Sequence, residues 1–127
     1  MGFTQEEALA RIVALTMRAG RPPASGQGPS PWHRVPHAFE GMTDAQVRRL
    51  VAAGQEDVAQ RGEEDVLTQA LAALSGHSAR VTALRVACVV AGDDRMLSWS
   101  ETSHLSRLAK RLGLSRRDVG RVVRSAP

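Results

Sequence analysis

The chain has 127 residues, of which 43% are hydrophobic and 3% aromatic, and its formal net charge is +4 at pH 7. This length suits one domain around a single core of Leu, Val and Ala. The one cysteine, Cys88, excludes an intramolecular disulfide and a multi-cysteine zinc site. No run of roughly 18 apolar residues and no signal-peptide pattern is present, so we expect a cytoplasmic protein without membrane insertion.

The N-terminal part predicts one helix followed by a long loop. Thr4 and Glu7 have the spacing of a capping box, and apolar residues then repeat at helical spacing as far as about Ala19. From about residue 20 to 42 the chain is rich in proline and glycine, which disfavour regular structure. We expect this loop to be anchored to the helical body by its apolar residues Trp32, Val35 and Phe39.

A second capping box, Thr43 with Gln46, predicts the start of the next helix. We expect this helix to be short and to end near Gly54, with a separate helical turn possible over residues 55–61.

Two further helices are predicted before residue 92. Residues 63–74 begin with three acids and continue with apolar residues at helical spacing, and Gly76 ends them. The stretch from about Ala79 to Ala91 is almost entirely apolar on one side. Its length between polar breaks favours a helix over a strand, and we expect it to be the central helix of the fold.

The C-terminal part contains two more helix starts. Ser98 and Glu101 form a third capping box, Gly113 interrupts the helix that follows, and Ser115 begins the last one. The predicted fold is therefore all-α, a compact single domain of six to seven helices. Helix, turn, capping box and second helix occur in both halves of the chain, which predicts two pseudo-symmetric helical hairpins.

The acidic turn between Ala91 and the last capping box is the first candidate site. Asp93, Asp94 and Glu101 could bring carboxylates together around Ca²⁺ or Mg²⁺, which prefer oxygen ligands. A Ca²⁺ site needs about six to eight oxygens, however, and Glu101 already has a role in capping the helix. Both interpretations of these acids stay open at this point.

The run ALRVACVVAGDDRMLSWSETSHLSRLAKRLGLS, from Ala83 to Ser115, resembles the tellurite-resistance TerB-like family. Asp94, Ser98 and Glu101 match that family's acidic turn and Ser-x-x-Glu box, whereas Arg95 stands where the family has glycine. The resemblance implies an all-helical fold of two related hairpins and a cytoplasmic, stress-response accessory role. It also implies binding of divalent cations by the acidic residues, or of a protein partner.

The second candidate site is the basic C-terminus, where seven basic residues face a single acid, Asp118, in the last 21 positions. The segment SRLAKRLGLSRRDVGRVVRS, from Ser106 to Ser125, has a helix-turn-helix pattern with its turn at Gly113. Val119 and Val122 would pack the last helix against the preceding one. This pattern predicts DNA contacts through Arg116, Arg117, Arg121 and Arg124. Any tight pair of small helices needs similar apolar residues, so a purely structural reading stays open.

An enzyme is not expected, because no serine, cysteine or histidine lies in a nucleophile motif and no glycine-rich phosphate loop follows a strand. Two hypotheses result. The chain is a non-enzymatic TerB-like binding module acting through its acidic turn, or a helix-turn-helix regulator acting through its basic end.

Overall fold

A computed structural model describes residues 3–19, 38–91 and 99–125, and the backbone in these ranges forms six α-helices and no strand. In chain order the helices are α1 (Gln5–Ala19), α2 (Asp44–Arg61), α3 (Glu63–Ala73), α4 (His77–Ala91), α5 (Trp99–Arg111) and α6 (Arg116–Ser125). The predicted all-α class is confirmed, and the helices form one compact domain. None of these described helices is both long and apolar enough to cross a membrane.

The central helix is α1, which packs against α2, α3, α4 and α5. Every residue from Ala8 to Thr16 is buried, including Arg11, whose side chain is only 9% exposed. The Arg11 guanidinium lies 4.3 Å from the centroid of the Phe3 ring, and its Nε is 3.5 Å from Oδ2 of Asp57 on α2. The expectation that α4 is the central helix is wrong, because α1 packs against α2, α3, α4 and α5. The ion pair and the ring contact allow the polar residue Arg11 into the core.

Helix α2 is one continuous helix, and the predicted end near Gly54 is wrong. Gly54 is buried in the middle of α2 where this helix crosses α1. A Cβ atom built on Gly54 would lie 3.3 Å from the carbonyl oxygen of Ala10 and 3.4 Å from Cβ of Ala14. The glycine thus allows the two helices to approach closely, since a Cβ atom at this position would require the neighbouring atoms of α1 to shift by a few tenths of an ångström.

The first two predicted capping boxes are confirmed. The Thr4 amide donates to Oε1 of Glu7 at 3.0 Å, and the Glu7 amide donates to the Thr4 hydroxyl at 3.2 Å. Thr43 and Gln46 make the same reciprocal pair at 2.8 and 3.2 Å. The Ser98 box lies outside the described residues. Local side-chain chemistry therefore places the starts of α1 and α2.

Most of the predicted proline-rich loop, residues 20–37 with Trp32 and Val35, lies outside the described residues. The end of the loop is described, and there Phe39 is 4% exposed and belongs to the hydrophobic core, as expected. The proposed pseudo-symmetry of two hairpins stays a prediction, because both of the turns that it compares extend beyond the described ranges.

Candidate functional site

The turn between α5 and α6 is built by a Schellman motif. The Leu114 amide donates to the carbonyl of Ala109, and the Gly113 amide donates to the carbonyl of Lys110, both at 3.1 Å. Gly113 has a φ of +72°, a conformation that residues with a side chain rarely adopt. The predicted break at Gly113 is confirmed, and the motif fixes the direction in which the chain enters α6.

Arg80 of α4 joins the ends of two helices beneath this turn. Its Nε donates to the Leu74 carbonyl at 3.0 Å and its Nη2 to the Leu71 carbonyl at 3.4 Å, both at the end of α3. Its Nη1 donates to the carbonyl of Leu112, just past the end of α5, at 3.0 Å. One guanidinium thus satisfies the Leu74 and Leu112 carbonyls at two helix ends and shares the Leu71 carbonyl with the Leu74 amide, which donates to it at 3.2 Å. Sequence reasoning missed this role, because it depends on three segments meeting.

The start of α6 is held by Ser115, Asp118 and His77. The Ser115 amide donates to Oδ2 of Asp118 and the Asp118 amide donates to the Ser115 hydroxyl, each at 3.1 Å. Nε2 of His77, at the start of α4, lies 3.1 Å from the same Asp118 oxygen. The hydrogen bond from His77, together with those from Ser115, lowers the pKa of the Asp118 carboxyl. These contacts connect the first turns of α4 and α6.

Helix α6 packs mainly against α4, with Val122 fully buried and Val119 partly buried. Leu108 and Leu112 of α5 are buried in the same hydrophobic core. These residues belong to one hydrophobic core, but among the described residues α6 packs mainly on α4 rather than on α5. The prediction that Val119 and Val122 pack the last helix directly against the preceding one is therefore not confirmed.

Five basic residues of α5 and α6 are exposed, and we call them together the basic C-terminal surface: Arg107, Lys110, Arg116, Arg117 and Arg121. Arg117 and Arg121 are four residues apart and share one exposed face of α6, whereas Val122 is buried. Among the described residues no carboxylate forms an ion pair with any of the five. Arg124 belongs to α6, but its side chain lies outside the described residues.

Arg111 lies at the end of α5 and differs from the five residues of the basic C-terminal surface. Its Nη1 contacts the carboxylate of Glu64, and its Nη2 lies 3.4 Å from the hydroxyl of Thr68, both on α3. Arg111 and Glu64 are 47 positions apart in the sequence, and their ion pair connects α5 to α3.

His104 connects α5 to the central helix. The Thr16 hydroxyl donates its proton to the Ile12 carbonyl at 2.8 Å, so Nε2 of His104, 3.1 Å away, is the donor to the Thr16 oxygen. Burial lowers the pKa of His104, with a smaller opposing effect from Glu63 on α3 and a smaller lowering effect from Arg107. The imidazole is therefore part of the interface between α1 and α5.

The acidic turn cannot be placed, since Asp93 and Asp94 lie outside the described residues, as does the side chain of Glu101. Within the described ranges no group of three or more His, Cys, Asp or Glu residues is arranged to hold a metal ion. Cation binding by the acidic turn therefore stays a prediction. Burial raises the pKa of the Cys88 thiol to about 11, so the thiol is protonated at neutral pH and poorly suited to nucleophilic chemistry.

The chain matches no protein-family model, no curated protein and no solved structure. The resemblance to the TerB-like family and the helix-turn-helix pattern both stay predictions, and the function has to be argued from the contacts and charges of the described residues.

Proposed function

We propose that the chain is a non-enzymatic binding module and that its basic C-terminal surface binds double-stranded DNA, with α5 and α6 as a helix-turn-helix unit. The observation that carries the proposal is the difference between two sets of arginines. Five arginines on α1, α2 and α5 form ion pairs with carboxylates: Arg11, Arg18, Arg48, Arg61 and Arg111. In the described part of the chain, Arg116, Arg117 and Arg121 of α6 have no such partner and are exposed.

The way α6 is held also supports the proposal. Its inner side is fixed by Val122, its first turn by Asp118 and its entry by Gly113. The arginines on its outer side therefore project from a well-anchored helix, and a guanidinium can donate two hydrogen bonds to a guanine edge or to a phosphate. Recognition helices of helix-turn-helix proteins contact bases through their N-terminal residues, which here are Arg116 and Arg117.

An acidic protein partner is the competing occupant of the same surface, because its carboxylates carry negative charge as DNA phosphates do. DNA is preferred since the tight Gly113 turn and the outward-facing start of α6 are typical of a groove-binding helix pair. A stress-response accessory role through the acidic turn depends on residues outside the described ranges, and it needs a separate test.

The test is fluorescence anisotropy with a mixed-sequence DNA duplex at about 50 and 200 mM salt, because phosphate contacts release counterions on binding. We expect binding that weakens steeply with salt, and a shallower salt dependence for Arg117→Gln and for Arg121→Gln. Arg49→Gln, which removes an exposed arginine from α2, is the matched control and should bind like the wild type. No binding to any duplex at the lower salt concentration, or an equal loss in the control, would reject the proposal.

A further inference from the structure

We infer that Arg111 is a further phosphate-binding residue of the basic C-terminal surface, and that Glu64 holds its guanidinium until a DNA phosphate replaces the carboxylate. This inference rests on the proposed function. It adds a residue to the binding surface and identifies an intramolecular contact that opposes binding.

The position of Arg111 supports the inference. Arg111 follows Arg107 by four residues and Lys110 by one, so it lies at the edge of the exposed face of α5 that these two residues form. It is also the last residue of α5, directly before the Gly113 turn that leads to the arginines of α6. Among the basic residues of α5, Arg111 is therefore the nearest along the chain to the arginines of α6.

The contact with Glu64 can be exchanged at little cost. The side chain of Arg111 is 36% exposed and that of Glu64 is 64% exposed, and ion pairs with this exposure contribute little to stability. By contrast, Arg11 and Asp57 form a pair only 9% and 15% exposed within the core, which has no access to a ligand. Thr68 offers only a hydroxyl at 3.4 Å, so Glu64 supplies the one negative charge that holds Arg111 among the described residues.

Glu64 opposes DNA in two ways. Its carboxylate competes with a phosphate for the Arg111 guanidinium, and its charge repels the phosphate from the α3 side of the surface. Removing that charge frees Arg111 while the rest of the surface stays intact. The Glu64→Gln variant should therefore bind duplex about two- to fivefold more tightly, the range expected for losing an exposed competing pair. The affinity of this variant for duplex should depend more steeply on salt concentration, by the equivalent of up to about one additional phosphate contact.

A double-mutant cycle on the full chain tests the inference by duplex anisotropy. The four proteins are wild type, Glu64→Gln, Arg111→Gln and the double variant, and Glu56→Gln on α2 controls for the loss of one exposed acid elsewhere. Thermal melts show whether all five proteins are folded. We expect Glu64→Gln to gain affinity in the wild-type background and to gain none when Arg111 is absent, and Arg111→Gln to bind more weakly than the wild type.

The failures of the two proposals are distinguishable. An equal gain from Glu64→Gln with and without Arg111, or a gain no larger than that of Glu56→Gln, would overturn the exchange between Glu64 and phosphate while leaving DNA binding intact. Absence of any duplex binding by the wild type, with all variants folded, would overturn both.

Discussion

Replacing Arg80 by methionine keeps the aliphatic stem of the side chain and removes the guanidinium that joins α3, α4 and α5. Three hydrogen bonds to main-chain carbonyls are lost, at 3.0, 3.0 and 3.4 Å. A hydrogen bond from a charged donor contributes about 1.5–3 kcal/mol, but Arg80 is half-buried and helix-end carbonyls can turn to water. We therefore expect a loss of about 2–4 kcal/mol in the free energy of unfolding, which is well below three full contributions.

Urea denaturation followed by circular dichroism measures this loss. Arg49→Met, which replaces an exposed arginine of α2, is the matched control and should stay within about 0.5 kcal/mol of the wild type. Arg80→Lys should fall between the wild type and Arg80→Met, because an ammonium group cannot span carbonyls on two helices. If Arg80→Met is no less stable than the control, Arg80 does not join the helix ends in the way described.

Gly54→Val should destabilise the protein by about 1–3 kcal/mol through overpacking against α1. The control Ala53→Val, at the exposed neighbouring position of α2, should cost well under about 1 kcal/mol. Equal losses of stability for the two variants in chemical denaturation would contradict the close crossing of α1 and α2. Because burial lowers the folded-state pKa of His104 below its unfolded value of about 6.5, its contribution to stability is complete above pH 6.5 and declines as the pH falls below it, with a slope of at most about 1.4 kcal/mol per pH unit. His104→Gln should remove that part of the pH dependence of unfolding, and an unchanged slope would show that another group titrates. Cation binding by the acidic turn predicts a saturable calorimetric heat with Ca²⁺ that is lost in Asp94→Asn and in Glu101→Gln, and unchanged heats would remove that site.

Helix starts could be predicted from the sequence because their signals are local. The Thr4–Glu7 and Thr43–Gln46 boxes join residues three positions apart, and the folded chain uses both as expected. Ser115 likewise begins α6 as predicted. In each case the side chains satisfy backbone groups of their own first turn, so no knowledge of the tertiary structure is needed.

Features that depend on distant segments could not be predicted in the same way. Gly54 indicates a helix end in the sequence, and only its contact with α1 explains its place inside α2. Likewise, the burial of Arg11 depends on its contacts with Phe3 and Asp57. The contact between Thr16 and His104 joins residues 88 positions apart. Composition and spacing carry no information about which of these partners meet, whereas the exposed arginines of α6 follow directly from its helical period.

The central claim is that duplex DNA binds the basic C-terminal surface, and amide shift mapping of the ¹⁵N-labelled protein tests it most directly. During titration with a short duplex at about 50 mM salt, the account predicts the largest amide shift changes between Ser106 and Arg121, with small changes along the exposed side of α2. Largest changes on α2 and the acidic start of α3, or no changes at saturating duplex, would contradict it.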